Sequence, residues 1–392
     1  MRIAHVMNRF PSVGGASRAV EGAIVGARQL GHEAMVLTYR ADRAEVGRPS
    51  AEVRVEAAGG FAFELLPWGP PGLQEPLVRR MVERVGELDV IVLHGAFVPN
   101  NARLVPELRR VTDATLVACP HDAYTADLFA TRTARKRAYF RAVERRYLRS
   151  VDAIEVRAPS HCRVLAAYGV HTPCVVTPGA VGEEELVRAA ALRERRVANR
   201  RRPGCRPTLL MLGRWRVFEK GLDLLLEAVS ERSLAERVRV VLVGPEQGGR
   251  GEVEALIRRY GLEDTVEAAG FSDDAWRHLE RADLLVLPSR KEGFGLVGLE
   301  ALAAGVPVVV SDRAGLAEYV GREQGVVVSP ADPLSLRRAL LDALAHLEEL
   351  SAAAHAAAPR LAATLNWRVV VERWLADLGH ITPLPAELGV AG

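Results

Sequence analysis

The chain is poor in lysine, in paired cysteine and in long apolar runs. Lys136, Lys220 and Lys291 are its only lysines, although Lys and Arg together number 52. The skew toward arginine reads as coding bias. Arginine clusters therefore carry little weight, and each lysine carries more. The four cysteines, Cys119, Cys162, Cys174 and Cys205, form no C-x-x-C pair and no Cys/His grouping with zinc spacing. Free thiols in a reducing cytoplasm are the expected state. Apolar runs such as 306–310 are strand-length, which excludes a membrane-spanning helix. The N-terminus meets Asn8 and Arg9 too soon for a signal peptide. A formal net charge of +3 is too small to argue for nucleic acid as a partner.

What the chain does have is length and alternation. At 392 residues it exceeds one ordinary domain, and two α/β domains of similar size follow. A content of 49% hydrophobic and 26% charged residues fits a folded rather than a disordered chain. Strands are expected at 3–7, 34–38, 90–93, 115–118, 153–156 and 174–177, with helices at 17–30, 76–86, 101–111, 134–149 and 160–168. Gly31 stands where a helix C-cap belongs, just before the second strand. This alternation predicts a parallel, doubly wound sheet.

The pattern breaks near residue 180. Residues 183–206 are charged and strandless, and read as a helix followed by a linker with a solvated basic run at 193–202. A second alternation then starts. Its strands are expected at 208–212, 238–243, 266–268, 284–287, 306–310 and 325–328, and its helices at 221–231, 250–260, 273–280, 296–304, 314–320 and 333–348. The alanine-rich stretch 351–363 favours helix, and 366–378 reads as one more helix, with Trp367 and Trp374. The expected domains are 1–182 and 207–375, joined by 183–206, with a last helix at about 376–392 packing back on the first. Ligands of such sheets bind at the carboxyl ends of the strands, here in a cleft that two facing domains would leave.

The strongest motif is PSRKEGFGLVGLEA at 288–301. It follows a clear strand. Gly293 and Gly295, on either side of Phe294, permit a tight turn and a close backbone approach to a ligand. A helix begins near Leu296, and its free N–H groups and dipole suit an anionic phosphate. Glu292 sits in the loop and Glu300 about a turn into the helix. Eight residues span ~12 Å if helical, the scale of an extended nucleotide-sugar. The plain alternative is a glycine-bearing turn with two surface glutamates.

A second motif, LGRWRVFEKG at 212–221, also follows a strand. Arg214, after Gly213, can fork onto phosphate oxygens, and Lys220 supplies a compact positive charge. Together they could offset charge growing on a departing nucleoside diphosphate. No D-x-D occurs, so metal-assisted departure is not suggested. A third motif, NRFPSVGGAS at 8–17, links the first strand to a helix through Gly14 and Gly15, and is not a G-x-G-x-x-G fingerprint. His94 and His121 stand at predicted strand ends.

The E-x7-E spacing within EGFGLVGLEALAAGVPVV resembles that of retaining glycosyltransferases of family 4, which have the GT-B fold. The resemblance covers nearly the whole chain and is strongest from about 209 to 330. It implies an α/β protein of two Rossmann-like doubly wound domains facing across a cleft. It implies metal-independent, retaining transfer of a hexosyl group from a nucleoside-diphosphate sugar to an acceptor hydroxyl, with UDP the family-weighted base and no further cofactor. Glu292 would orient the sugar, Glu300 the ribose, and Arg214 and Lys220 the diphosphate. Gly213, Gly293, Phe294, Gly295 and Leu296 would shape the donor loops. Gly14 and Gly15 would lie beside the diphosphate, His121 beside the sugar, and Gly270 with Phe271 beside the base. His94 and Asn100 are acceptor-side candidates in the first domain.

One departure stands out. The family's Asn-Gly-Val near the end of that domain is replaced by Thr177-Pro-Gly-Ala-Val181. Two other readings are a sugar-nucleotide epimerase and a non-catalytic nucleotide-sugar-binding protein. Some relatives act on lipids, so the arginine-rich helix 134–149, with Tyr139, Phe140 and Tyr147, invites comparison with a membrane-docking face. A surface helix that packs its aromatics inward is preferred.

Overall fold

The computed structural model describes residues 1–8, 10, 15–38, 61–62, 75–121, 124, 128, 133–198 and 205–381. The chain forms two compact units. The first takes Met1–Pro178 and the C-terminal segment from Trp367, and the second takes Gly179–Asn366.

In the first unit seven parallel strands form one sheet. They are β1 (Arg2–Met7), β2 (Glu33–Thr38), β3 (Phe61–Ala62), β4 (Val90–His94), β5 (Thr115–Cys119), β6 (Ala153–Val156) and β7 (Cys174–Val176). Their order is β3-β2-β1-β4-β5-β6-β7. A parallel sheet is covered on both sides, so its strands read as nearly unbroken apolar runs such as VIVLH and TLVAC. Strand parity divides these runs between the faces. Ala4, Val6, Ile91, Leu93 and Leu116 enter one core, and Ile3, Met7, Val90, Val92 and Val117 enter the other.

The second of these faces lies under two helices, Gly15–Gln29 and Trp367–Ile381. Glycine lets them approach. A Cβ on Gly22 would stand 2.0 Å from Trp367 Nε1, and one on Gly26 would stand 2.6 Å from the Trp367 carbonyl oxygen. The C-terminal helix therefore begins at Trp367, inside the span the sequence had suggested for the second domain.

In the second unit six parallel strands form the sheet: β8 (Thr208–Leu212), β9 (Arg239–Val243), β10 (Val266–Gly270), β11 (Leu284–Leu287), β12 (Val308–Ser311) and β13 (Val326–Ser329). The order β10-β9-β8-β11-β12-β13 repeats that of the first sheet's first six strands. Each sheet thus reverses its strand order once, between β1 and β4 and between β8 and β11. In open sheets of this kind ligands bind outside the carboxyl ends of the strands at the reversal.

Four local expectations need correction. The helix expected at 221–231 is Leu222–Val229, and a short helix not foreseen, Val217–Lys220, precedes it across Gly221 with a φ of 68°. The helix 314–320 is a 3-10 turn, Gly315–Glu318. The helix 134–149 passes through a π turn, Phe140–Glu144, while Phe140 and Tyr147 face inward and are buried. The helix in 183–206 is Glu183–Ala198, whose Ala189 and Leu192 belong to the second unit's core. Nor is the start of its basic run simply solvated. Arg193 donates to the Ala303 carbonyl at 3.0 Å, and Arg196 to the carbonyls of Leu279, Glu280 and Ala282. The ends of helices leave carbonyls without partners, and these guanidinium groups supply them. Among the described residues no helix is long and apolar enough to cross a membrane.

The contact of Gly26 with backbone gives a direct test. Gly26→Ala pushes a methyl group into backbone that cannot rotate away, and should destabilise the first unit by roughly 1–3 kcal/mol. Chemical denaturation followed at Trp367 and Trp374 should show an earlier midpoint. An unchanged midpoint would mean that the two helices can separate without cost.

Candidate active site

The reversal of the second sheet gathers the two strongest sequence motifs. After β8 the chain passes Gly213 and Arg214 into the turn Val217–Lys220. After β11 it enters Pro288. A Cβ at position 221 would lie 2.1 Å from the Pro288 carbonyl oxygen, so only glycine allows the two loops to touch. The Lys291 N–H donates to the Glu219 carbonyl at 3.1 Å. Arg290 forks onto Asp223 at 2.8 and 2.7 Å and lies over the Phe218 ring, 4.5 Å from its centroid. These bonds leave Lys220 facing Glu292, with Nζ 2.7 Å from Oε2. Ser289 Oγ donates to that same oxygen at 3.2 Å. The two side chains are 12% and 16% exposed. Neither the other oxygen of Glu292 nor the Arg214 guanidinium has a hydrogen-bond partner among the described residues.

The loop turns into the helix Leu296–Ala303 at Gly295, whose φ is 99°. Gly293 is not among the left-handed glycines, so the turn rests on Gly295 alone. Phe294 keeps its place in the donor loop through its backbone. Its ring is buried in the core, 5.6 Å from Tyr319 between centroids. Its carbonyl accepts from the Leu316 N–H at 2.8 Å. Leu296 opens the helix half-buried, and Glu300 is 5% exposed on it. Gly298, which the sequence reading did not single out, seats this helix. A Cβ there would meet Leu316 and Leu287 at 2.5 and 2.9 Å. Gly270 closes β10 with a φ of 72°. Phe271 follows it and is 68% exposed, not the buried ring a strand-end turn would suggest.

In the first unit Gly15 opens the helix Gly15–Gln29, and Gly14 lies outside the described residues. The strand ends hold a buried polar layer that the sequence reading saw only in part. Parity places His5, His94, Cys119, Glu155 and Thr177 on the face beneath the two helices. His5 Nδ1 lies 2.9 Å from His94 Nε2, and His94 Nδ1 lies 3.1 Å from His121 Nε2. Adjacent rings stack with centroids 5.1 Å apart. Arg157 pairs with Glu155 at 2.9 Å and donates to the Thr177 carbonyl and to Cys119 Sγ. His94 is therefore an interior residue with both ring nitrogens engaged, and it can reach an acceptor only through His121. Asn100 sits in the first turn of Pro99–Val111. Its neighbour Asn101 is fully buried and donates to the carbonyls of His94 and Gly95 at 3.0 and 3.4 Å.

Space does what spacing did not. His94, Cys119 and His121 bring ligand atoms within 4.8 Å of one another. The chemistry opposes a cation there. Arg157 donates to the Cys119 sulfur, and burial pushes that thiol's pKa well up. Burial, followed by the Arg157 charge, pulls the His5 pKa down to about 4. Burial and the charges of His121, His5 and Arg157 pull His94 down as well.

Residues 206–346 match the family described as glycosyl transferases group 1, and residues 13–185 match glycosyltransferase family 4. A phosphatidyl-myo-inositol mannosyltransferase of Propionibacterium freudenreichii is 29% identical over 291 residues, 73% of this chain and 68% of that protein. A D-inositol 3-phosphate glycosyltransferase of Geodermatophilus obscurus is 34% identical over 196 residues, 46% of this chain and 42% of its own length. The chain thus spans 42% and 68% of the lengths of these two curated relatives. The structure of HepE from Anabaena in complex with UDP-glucose superposes with a TM-score of 0.71 at 18% identity, covering 97% of this chain and 100% of that one.

The histidine layer predicts a pH response. An unfolded His5 takes its proton near the ordinary 6.5, while the folded one resists it down to about 4. Between those values the unfolded chain holds more protons, so stability is full above 6.5 and falls as the pH drops toward 4. Melting curves should show this decline. His5→Phe, which keeps a ring but cannot titrate, should flatten it. Equal declines in both proteins would remove His5 as a cause.

Proposed function

The chain is a family 4-like glycosyltransferase with the GT-B fold, and from that premise we propose that it moves a hexosyl group from a nucleoside-diphosphate sugar to an acceptor hydroxyl. The proposal includes retention at the anomeric carbon, independence of metal and a UDP donor. The observation that carries it is the Lys220–Glu292 pair at the reversal of the second sheet, 2.7 Å apart and largely sheltered from water.

The chemistry runs as follows. Breaking the sugar–phosphate bond builds negative charge on the departing diphosphate. Lys220 and Arg214 lie on the β8 side of the reversal to offset it, with the first turn of Leu296–Ala303 beyond. Lys220 holds one oxygen of Glu292 and so fixes the carboxylate, leaving the other to accept a sugar hydroxyl. Glu300, four residues into that helix, takes the ribose. The exposed Phe271 offers a face to the base. No carboxylate is marked as a covalent nucleophile. Transfer on one face of the sugar, with the leaving phosphate helping to deprotonate the acceptor, is the mechanism consistent with retention. In the first unit the resemblance assigns His121 and Gly15, and we place the acceptor on that unit. Support for UDP comes from the UDP-glucose bound by the HepE structure.

Lys220→Met should lower kcat by about a hundredfold, since it removes a fixed charge from the leaving group. Steady-state transfer assays check this, and a variant at the parental rate would remove Lys220 from the mechanism. Thermal shift with UDP-, GDP-, ADP- and dTDP-sugars should show stabilisation by the UDP donors. A shift with another base alone would reassign the donor, and an epimerised donor in the absence of acceptor would overturn transfer itself.

A further inference from the structure

The Lys220–Glu292 pair joins two loops that leave different strands. Lys220 closes the turn Val217–Lys220 after β8, and Glu292 lies in the loop after β11. Both side chains are long and have many rotamers, and holding them in one geometry costs entropy. The 2.7 Å contact between them depends on how firmly the two backbones are kept in register.

Two backbone contacts help, at Gly221 against Pro288 and from the Lys291 N–H to the Glu219 carbonyl. Arg290 adds a third link, made by a side chain, and it spans the Lys220 turn. Its Nη1 donates to the Phe218 carbonyl at 2.9 Å, before Lys220 in the chain, and to Asp223 Oδ1 at 2.8 Å, after it. Its Nη2 donates to Asp223 Oδ2 at 2.7 Å. Its flat face lies 4.5 Å from the Phe218 ring centroid.

Asp223 stands in the first turn of Leu222–Val229, where a carboxylate favours a helix by its charge alone. That role does not require either oxygen to face Arg290, yet both do. The two parallel bonds make a planar fork whose direction neither an amide nor an ammonium can reproduce. Asp223 is still one-third exposed, and ion pairs near the surface add little to global stability. Displacing a catalytic group by ~1 Å, in contrast, can cost about a hundredfold in rate. The fork therefore acts chiefly through what it positions.

We propose that Asp223 and Arg290 are a positioning pair: their fork sets the register of the Lys220 turn against the Glu292 loop and so fixes the Lys220–Glu292 contact. Asp223 acts through Arg290, and neither needs to touch a substrate. What the Lys220–Glu292 contact does to a donor sugar rests on the transfer reading above, but the positioning does not.

The scarcity of lysine makes the contact visible. With Lys136, Lys220 and Lys291 the only lysines, nuclear magnetic resonance of the full chain with 13C,15N-lysine gives few side-chain signals. That of Lys220 is assigned by its loss in Lys220→Arg, and its Nζ and Cε shifts should move in Glu292→Gln, where the ion pair is gone. In Asp223→Asn and in Arg290→Met the Lys220 shifts should move the same way, while the melting midpoint stays within about 2 °C of the parent. The double variant should move them no further than either single one, because the two residues act as a unit. Asp223→Glu, which can rebuild a fork, should keep the parental shifts. With UDP-glucose as the donor, release of UDP should slow about ten- to a hundredfold in kcat in both single variants, with the donor KM within about threefold. Unmoved Lys220 shifts in both variants would overturn the proposal. So would the kcat of an active parent in both, or a midpoint that falls in step with kcat, the mark of a merely structural pair. If the shifts move as stated but the parental protein transfers no sugar, the positioning stands and the transfer reading falls.

Discussion

The second unit's site depends on the missing side chain at Gly221. The Pro288 carbonyl occupies the place where a Cβ would stand, and that contact brings two loops 67 residues apart, as counted from Arg290 to Asp223, into one structure. Once the backbones touch, short side chains suffice. Lys220 reaches Glu292, Ser289 supports the same carboxylate, and Arg290 closes the rear on Asp223. A sheltered ion pair is weak evidence of stability, because the loss of hydration offsets its attraction. Its value here is geometric: it turns a flexible glutamate into a fixed acceptor and keeps a cation within reach of the same place. The helix that follows owes its entry to Gly295 and its depth to Gly298, so glycine sets the distances at every step.

The first unit solves a different problem. Burying histidines beside a guanidinium is costly unless each polar atom is matched and the rings stay uncharged. Arg157 serves the first condition by bonding Glu155, the Thr177 carbonyl and Cys119, and burial followed by its charge serves the second. The same parity that fills the remainder of this face with valine places these polar groups side by side at the strand ends. A hydrophobic layer thus gives way to a polar one within a single sheet, where the fold's strand order reverses.

Much of this was legible in the sequence because parallel strands buried on both faces leave unmistakable apolar runs, and because glycine and charge cluster where β8 and β11 end. The E-x7-E string and the lone lysine before Gly221 led to the residues that the structure brings together. What was not legible depends on contacts distant in the chain. His5 looked like any polar residue in a strand; only its register with Val92 brings it beside His94. Arg157 lies in an arginine-rich chain, where one guanidinium attracts no notice. Phe294 was assigned by its neighbours in the motif, but the space beside Tyr319 and Gly179 claims its ring. The arginines at 193 and 196 were read as solvated because their carbonyl partners come from helices about a hundred residues away or less.

The helix Trp367–Ile381 carries one more consequence. Because it packs on the first helix and fills the core over β1, the first unit is built from segments on both sides of the second, which is an insertion within it. During synthesis the inserted unit emerges complete while its host still lacks a wall. The face with Ile3, Val90 and Val92, together with the histidine layer, stays open to water until Trp367–Ile381 has been synthesised. A nascent chain stalled before Trp367 would hold a finished second sheet while the first still lacked one of its covering helices, and the polar interior of the first unit would close only after the second unit had been made.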